Sequence, residues 1–461
     1  MKRGFAGGVS GVRFIQSPRF FNPTISIRNG LAAHQIENVM SIVVAVFIVL
    51  VIVARLVLER WLAERNLAFG AVTPNPLMAR YGGVSMTPEA VARAVGYRRA
   101  RTRFGHAGAA LEAVVLVVLL FSGVLPAAWN GLVGQGWGTV AAGAGVMAGL
   151  LVFLAVAQAP LAWYETFRIE AVFGFSRTPP ALFWSDRAKG VLLELALGLP
   201  LFAAVGLLAE HGGAWWWLIA AAVVIAFQLL ATVLYPLLIL PWFNRCTPLE
   251  GELLLSLKEL AHDCNFPTED MYVVDSSRRT RHSNAFVTGL GRTRRIMLYD
   301  TLIDLLDRQE IKAVIAHEIG HSSKRHLVKL TFLVALLLAA GFWVAGKLLY
   351  WPAFMGAFGF EAGAVVPGVL VLVLAAGPLL FWLAPGLHLI QRHFERQADL
   401  FAMSVTYGPG PLISALAKIS ANSLEILEPH PWYSLYHNTH PTLAERLAVM
   451  ERVQRQIKGR I

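Results

Sequence analysis

Two cysteines in 461 residues, Cys246 and Cys264, are too few for a disulfide-stapled scaffold, and their spacing fits no thiolate metal site. Both are expected on the cytosolic side, in reduced form. Charge is scarce as well. Asp, Glu, Lys and Arg make up 15% of the chain against 56% hydrophobic residues, which excludes an ordinary soluble globular protein. Internal repeats and low-complexity runs are absent, so repeat arrays and fibrous architectures drop out too.

Long apolar runs take their place. Seven of them, Met40–Leu58, Ala107–Trp129, Thr139–Gln158, Val191–Ala209, Ala214–Tyr235, Leu327–Trp351 and Gly363–Pro385, match the roughly 20 residues that cross a bilayer. The expected fold is a polytopic α-helical membrane protein with about seven transmembrane helices and a cytosolic α+β portion. Its divisions are an extension (1–39), five spans with their loops (40–242), an α+β insert (243–326), spans six and seven (327–385) and a helical cytosolic tail (386–461).

A net charge of +11 would suggest nucleic acid in a soluble protein. Here its distribution reads as topology, and no nucleic-acid partner is expected. Connections 130–138, 210–213 and 352–362 carry no Lys or Arg, whereas 59–106, 159–190, 243–326 and 386–461 carry 8, 4, 12 and 8. Alternation puts the four basic segments on one face, and basic loops stay in the cytoplasm. Residues 1–39 break this rule with Lys2, Arg3, Arg13, Arg19 and Arg28. They read as a disordered or mis-assigned extension, with Met40 as the alternative start.

In chain order, Leu58–Asn66 continues the first helix, and Phe69–Thr87 is an irregular Pro/Gly stretch. Thr87 caps a helix opened by Pro88, whose Arg98, Arg99, Arg101 and Arg103 would meet anionic headgroups. Glu112 lies inside the second span and reads as a paired or neutral structural carboxylate. Trp163–Ser176 reads as an amphipathic juxtamembrane helix, and Thr247-Pro248-Leu249-Glu250 as a soluble helix start running through His262. Met271–Asp275, Asn284–Gly289 and Arg295–Tyr299 read as strands, the last two around a Gly291-Arg292 turn.

The segment that carries chemistry is Ile311–Arg325, with apolar Ile311, Val314, Ile315 and Ile319 at helical spacing. Within it, His317-Glu318-Ile319-Gly320-His321 sets two imidazoles four residues apart on one helix face, so both reach one ion. Glu318 then stands over an ion-bound water and takes its proton. A catalytic zinc site needs a third protein ligand. His388, His393, Glu395, Asp399 and His440 are the candidates. Glu395 and Asp399 share a helix face, so one suits the metal and the other the orientation of a ligand histidine.

Thr247–Glu250, His282–Phe286, Tyr299–Leu302, His317–His321, Phe394–Ala402 and Ser434–Leu447 together resemble the membrane zinc metallopeptidases of the type-1 CAAX prenyl endopeptidase kind and their bacterial relatives. The resemblance covers nearly everything from Met40 onward. It implies one zinc ion per chain held by His317, His321 and Glu395, with Glu318 as general base. It implies that Asp399 supports a ligand histidine or donates a proton, and that Asn284 and His440 contact the substrate backbone or the developing oxyanion. It also implies a chamber enclosed by the seven helices, a zincin-like peptidase portion, and substrates that are peptides or proteins, some of them prenylated.

The Ala/Gly/Leu/Arg-rich usage leans toward a bacterial inner membrane with the catalytic face cytoplasmic, where general membrane-protein quality control competes with prenyl-peptide cleavage. A seven-helix transporter or receptor with a structural zinc is the reading from another class. The intact Glu318 counts against it.

Overall fold

The structure is a computed structural model and describes residues 23–69, 88–266, 270–289, 294–425 and 429–458. Seven helices in it are long and apolar enough to cross a membrane. The spans before the insert lie in α1 (Pro23–Phe69), α2 (Pro88–Phe121), α3 (Thr139–Tyr164), α4 (Pro180–His211) and α5 (Trp216–Leu234). An insert follows with strands β1 (Cys246–Pro248), β2 (Met271–Val274), β3 (Ala285–Thr288) and β4 (Arg295–Tyr299) and helices α6 (Gly251–Asp263) and α7 (Arg308–Ser323). Helices α8 (His326–Leu348) and α9 (Val365–Leu380) bring in the last two spans. The tail holds α10 (Ala384–Val405), α11 (Gly410–Asn422), α12 (Pro431–His437) and α13 (Leu443–Lys458).

Large apolar side chains such as Phe47, Val114, Phe332 and Leu336 are exposed on the spans. That suits a lipid surround, where apolar side chains face hydrocarbon and the helix satisfies its own backbone. Inward, Leu120, Leu349, Met355 and Leu370 are fully buried in one membrane-region core. A Cβ added at Gly368 would stand 2.1 Å from Leu349 Cδ2 and 3.1 Å from Met355 Cε, so a side chain there would make both neighbours shift.

The sheet has the order β1-β2-β4-β3. β2 and β4 run parallel, with Met271 opposite Ile296, while β1 and β3 flank them antiparallel. A second core of Leu257, Ile296, Leu298, Leu302, Ile315 and Ile319 joins this sheet to α6 and α7. Helix α7 opens with a capping box: the Asp307 side chain accepts from the Glu310 amide, and Glu310 accepts from the Asp307 amide. The Glu310 carboxylate is buried but accepts from Lys418 Nζ at 2.6 Å and from Ser414 Oγ at 2.6 Å, which ties α7 to α11.

Several expectations change. The second span ends at Phe121 rather than Trp129, because Ser122 and Gly123 (φ 81°) break the helix before Val124–Gly134 begins. Thr247 and Pro248, expected with Leu249 and Glu250 to start the helix through His262, lie instead in the edge strand β1 on β2, where proline's missing N–H costs nothing, and the helix begins at Gly251. Trp163–Ser176 is no separate helix. The third span runs on through a π-helical turn, Glu165–Glu170, to Val172, and after a turn at Phe173–Gly174 Ser176 bridges Thr280. Residues 23–39, within the extension expected to be disordered or mis-assigned, belong to α1. Thr87, the stretch 70–87 and the Gly291-Arg292 turn lie outside the described residues. Glu112 lies 3.9 Å from Arg55, the paired arrangement expected of a carboxylate within a span.

Candidate metal centre

Helix α7 crosses α10 at Gly320. A Cβ there would meet Ala398 Cα at 3.1 Å and Phe401 Cβ at 3.2 Å, so the two backbones touch where α7 carries its histidines and α10 its carboxylates. The crossing assembles the site. His317 Nε2 lies 3.3 Å from Glu395 Oε2, His321 Nε2 lies 3.2 Å from Glu395 Oε1, and the two Nε2 atoms are 3.2 Å apart. Among the described residues, His317, His321 and Glu395 form the one group of at least three potential ligands able to share an ion. Glu395 Oε2 is buried and makes no hydrogen bond. A buried carboxylate oxygen without a donor is costly, and a cation between these three atoms removes the cost. Two imidazoles and a carboxylate are also a catalytic zinc donor set.

Behind His317, Asp399 Oδ1 accepts from Nδ1 at 2.9 Å. That fixes the proton on Nδ1 and turns Nε2 toward Glu395. Asp399 is itself gripped by Arg446 of α13 through two hydrogen bonds, Nε to Oδ2 at 2.9 Å and Nη2 to Oδ1 at 2.5 Å. All three groups are buried. Burial opposes a charge on His317, but Asp399 on its Nδ1 edge and the Glu395 carboxylate facing Nε2 outweigh it and raise the metal-free imidazole to about 9. Burial pushes the Glu318 carboxyl above its ordinary range, against the pull of His317 and His321, which makes its anion a stronger base.

Of the other candidates, His440 Nε2 lies 3.4 Å from Glu395 Oε1 and its Nδ1 lies 2.9 Å from Thr439 Oγ1. Asn284 shares a cleft of about 540 Å³ with His317, Glu318, His440 and Arg446. The loop before it is pinned: Thr301 Oγ1 donates to the His282 carbonyl, Ser283 Oγ to the Thr301 carbonyl, and the Tyr299 amide to the Asn284 carbonyl. Asp300 holds the neighbouring turn. Burial would raise its carboxyl, but hydrogen bonds from Ser277 and Ser276 keep it below the usual range. His388 and His393 stay out of the ligand cluster. Cys246 and Cys264 are free, and burial raises both thiols.

Sequence reasoning assigned no role to three residues that the structure brings here. Arg446 is one. The others are His326, whose Nδ1 lies 3.2 Å from His321 Nδ1, and Gln397, whose Oε1 lies 2.8 Å from His326 Nε2. His326 lies nine positions after His317, beyond the turn at Arg325 that ends α7.

A larger cavity of about 850 Å³ adjoins the cleft. It is lined by apolar Leu56 and Ala109 beside Arg101 and Tyr97, and shares Arg98 and Tyr433 with the cleft.

Residues 79–245 match the family described as CAAX prenyl protease N-terminal, five membrane helices, and residues 249–454 match peptidase family M48. Among curated proteins, a CAAX prenyl protease 1 homolog of Oryza sativa subsp. japonica is 34% identical over 392 residues, which cover 82% of this chain and 90% of that protein. CAAX prenyl protease 1 of Saccharomyces cerevisiae is 34% identical over 317 residues, covering 65% of this chain and 70% of its own. The crystal structure of S. mikatae Ste24p is similar with a TM-score of 0.80 at 28% identity, over 88% of this chain and 98% of that one.

Proposed function

The chain belongs to peptidase family M48, and from that membership and the site geometry we propose that it cleaves peptide bonds with one zinc ion held by His317, His321 and Glu395. It is an integral-membrane metalloendopeptidase that acts on peptides or proteins from within a lipid bilayer. The observation that carries the zinc proposal is the convergence of two Nε2 atoms on a buried Glu395 carboxylate with an oxygen left without a donor.

Zinc held by His317, His321 and Glu395 would supply an acidified water and polarise the scissile carbonyl. Glu318, facing the same cleft, accepts the proton as that water attacks, then delivers it to the leaving amine nitrogen. His440 and Asn284 line the cleft as hydrogen-bond donors for the oxyanion and the peptide backbone. Asp399 faces the Nδ1 edge of His317, away from the edge that meets Glu395, which supports an orienting role rather than proton donation. Strand β3 pairs with β4 on one side only. Its open edge, next to Asn284, would take an extended peptide by strand addition.

The names of the relatives put prenylated C-terminal peptides first among candidate substrates. The apolar wall of the larger cavity at Leu56, Val57, Ala109 and Ala110 supports an occupant with a lipid tail. Basic loop distribution supports a cytoplasmic catalytic face, and residue usage supports a bacterial inner membrane.

Zinc content, measured beside cleavage of a fluorogenic peptide in prenylated and unprenylated forms, tests this reading. One zinc per chain, chelator-sensitive cleavage and preference for the prenylated peptide are expected. Equal cleavage of both would replace the prenyl assignment with a general membrane endopeptidase, and bound zinc with no cleavage would overturn the mechanism.

A further inference from the structure

His317 has its orienting carboxylate in Asp399, whereas among the described residues no carboxylate is paired with the Nδ1 edge of His321. What stands there is His326, the first residue of the sixth span. Its placement depends on a sharp turn: α7 ends at Ser323, and Arg325 adopts the left-handed conformation at φ 55° before α8 begins. The turn swings His326 back against His321, with Nδ1 to Nδ1 at 3.2 Å. His326 is 3% exposed, and its ring stacks on Phe394 with centroids 4.3 Å apart and planes at 7°. On its far side Nε2 lies 2.8 Å from Gln397 Oε1, and Gln397 Nε2 lies 2.9 Å from His393 Nε2.

Hydrogen-bond polarity along this chain has one solution compatible with metal binding. His321 must present an unprotonated Nε2 to the ion, so its proton sits on Nδ1. That proton needs an acceptor, so His326 Nδ1 is bare and His326 Nε2 carries the hydrogen. Gln397 must then offer its oxygen to His326, and its amide nitrogen donates to a bare His393 Nε2. Reversing the Gln397 amide reverses every link and puts a hydrogen on His321 Nε2, where the metal belongs.

We propose that His326, fixed by Gln397, is the positioning residue for the zinc ligand His321: it selects the ligating tautomer and holds the ring in place, as Asp399 does for His317. The proposal rests on the zinc reading above. It also ties the metal to the membrane portion, because His326 opens the sixth span while Gln397 and His393 sit on the cytosolic continuation of the seventh. Two ligands of similar chemistry are thus held by two different kinds of partner, one ionic and one a neutral relay.

The test is zinc affinity of the full-length protein by chelator competition, with the absorption spectrum of the cobalt-substituted protein as a second readout. His326→Phe keeps the stack on Phe394 and the buried volume but removes the acceptor, and should weaken zinc about 10–100-fold. His326→Asn, whose Oδ1 can stand where Nδ1 stood, should recover most of that loss. Gln397→Leu should weaken zinc, and Gln397→Glu, which keeps the acceptor, should not. Metal-free melting temperatures separate a packing role from a positioning one. A His326→Phe protein that melts lower yet holds zinc as wild type does would overturn the proposal. Should that variant fail to fold, equal affinities in Gln397→Leu and Gln397→Glu would overturn it instead. Failure of the underlying zinc reading looks different: wild type would lack stoichiometric zinc, or His321→Ala would keep it.

Discussion

Arg446 holds Asp399 by both carboxylate oxygens, and Asp399 holds His317 through Nδ1. A tail residue far along the chain thereby sets the tautomer of a proposed metal ligand. Both ions are buried, so removing one leaves the other without compensation, at about 3–5 kcal/mol. Arg446→Met is expected to lower stability by that amount in chemical denaturation and to reduce zinc occupancy. Asp399→Asn together with Arg446→Met should cost less than the sum of the single changes, because the double variant leaves no stranded charge. Additive losses would argue that the pair acts independently.

Much of this site can be read from sequence because its determinants are local. His317 and His321 share a face of α7 by helical periodicity alone, and Glu395 and Asp399 do the same on α10. Arg446 and His326 are different. Their roles depend on how α13 and the Arg325 turn return to α7, which no periodicity encodes. The edge strand at Cys246–Pro248 escaped for a related reason: Thr-Pro-Leu-Glu satisfies a helix start as well as a strand end, and only pairing with β2 decides. The long second span failed at Ser122-Gly123, where apolar composition runs on but the backbone breaks.

Gly320 stands inside the motif, between the two histidines, and its lack of a side chain lets α7 touch α10. Gly320→Val should force the helices apart at about 1–3 kcal/mol. Zinc content should fall with stability, because the displacement separates His317 and His321 from Glu395. A variant with a lower melting temperature but full zinc would show that the ligands tolerate the shift.

Glu318 makes no ligand contact in the cluster, so charge and chemistry can be separated there. Glu318→Gln should keep one zinc per chain and lose cleavage by about 10²–10⁴-fold, the range for a general acid-base group. Glu395→Ala should strip the metal instead. Retained turnover in the Gln variant would assign the base elsewhere.

Topology is open to a direct measurement. Reporter fusions at Ala362, in a connection without Lys or Arg, and at Ile461, after the basic tail, are expected on opposite faces of the membrane. The Ile461 fusion should be cytoplasmic. Both on one face would break the alternation from which a cytoplasmic catalytic face is proposed.

Proton competition at His317 gives the pH dependence of metal binding. In the metal-free protein burial disfavours its charge, but Asp399 and Glu395 raise the imidazole to about 9, against about 6.5 for an unfolded histidine. Because the folded value is raised, the proton stabilises the metal-free fold fully below about pH 6.5, and that contribution disappears as pH rises through 9. Zinc must displace the same proton, so affinity should climb about tenfold per pH unit from 7 toward 9 and then level off. Chelator competition across that range should give a slope near one. Melting curves should diverge in the same window, with the metal-free protein losing stability as pH rises while the zinc-saturated protein does not. A flat affinity between pH 7 and 9 would mean that Asp399 and Glu395 do not hold the His317 proton, and the ion-pair account of the ligand would fail with it.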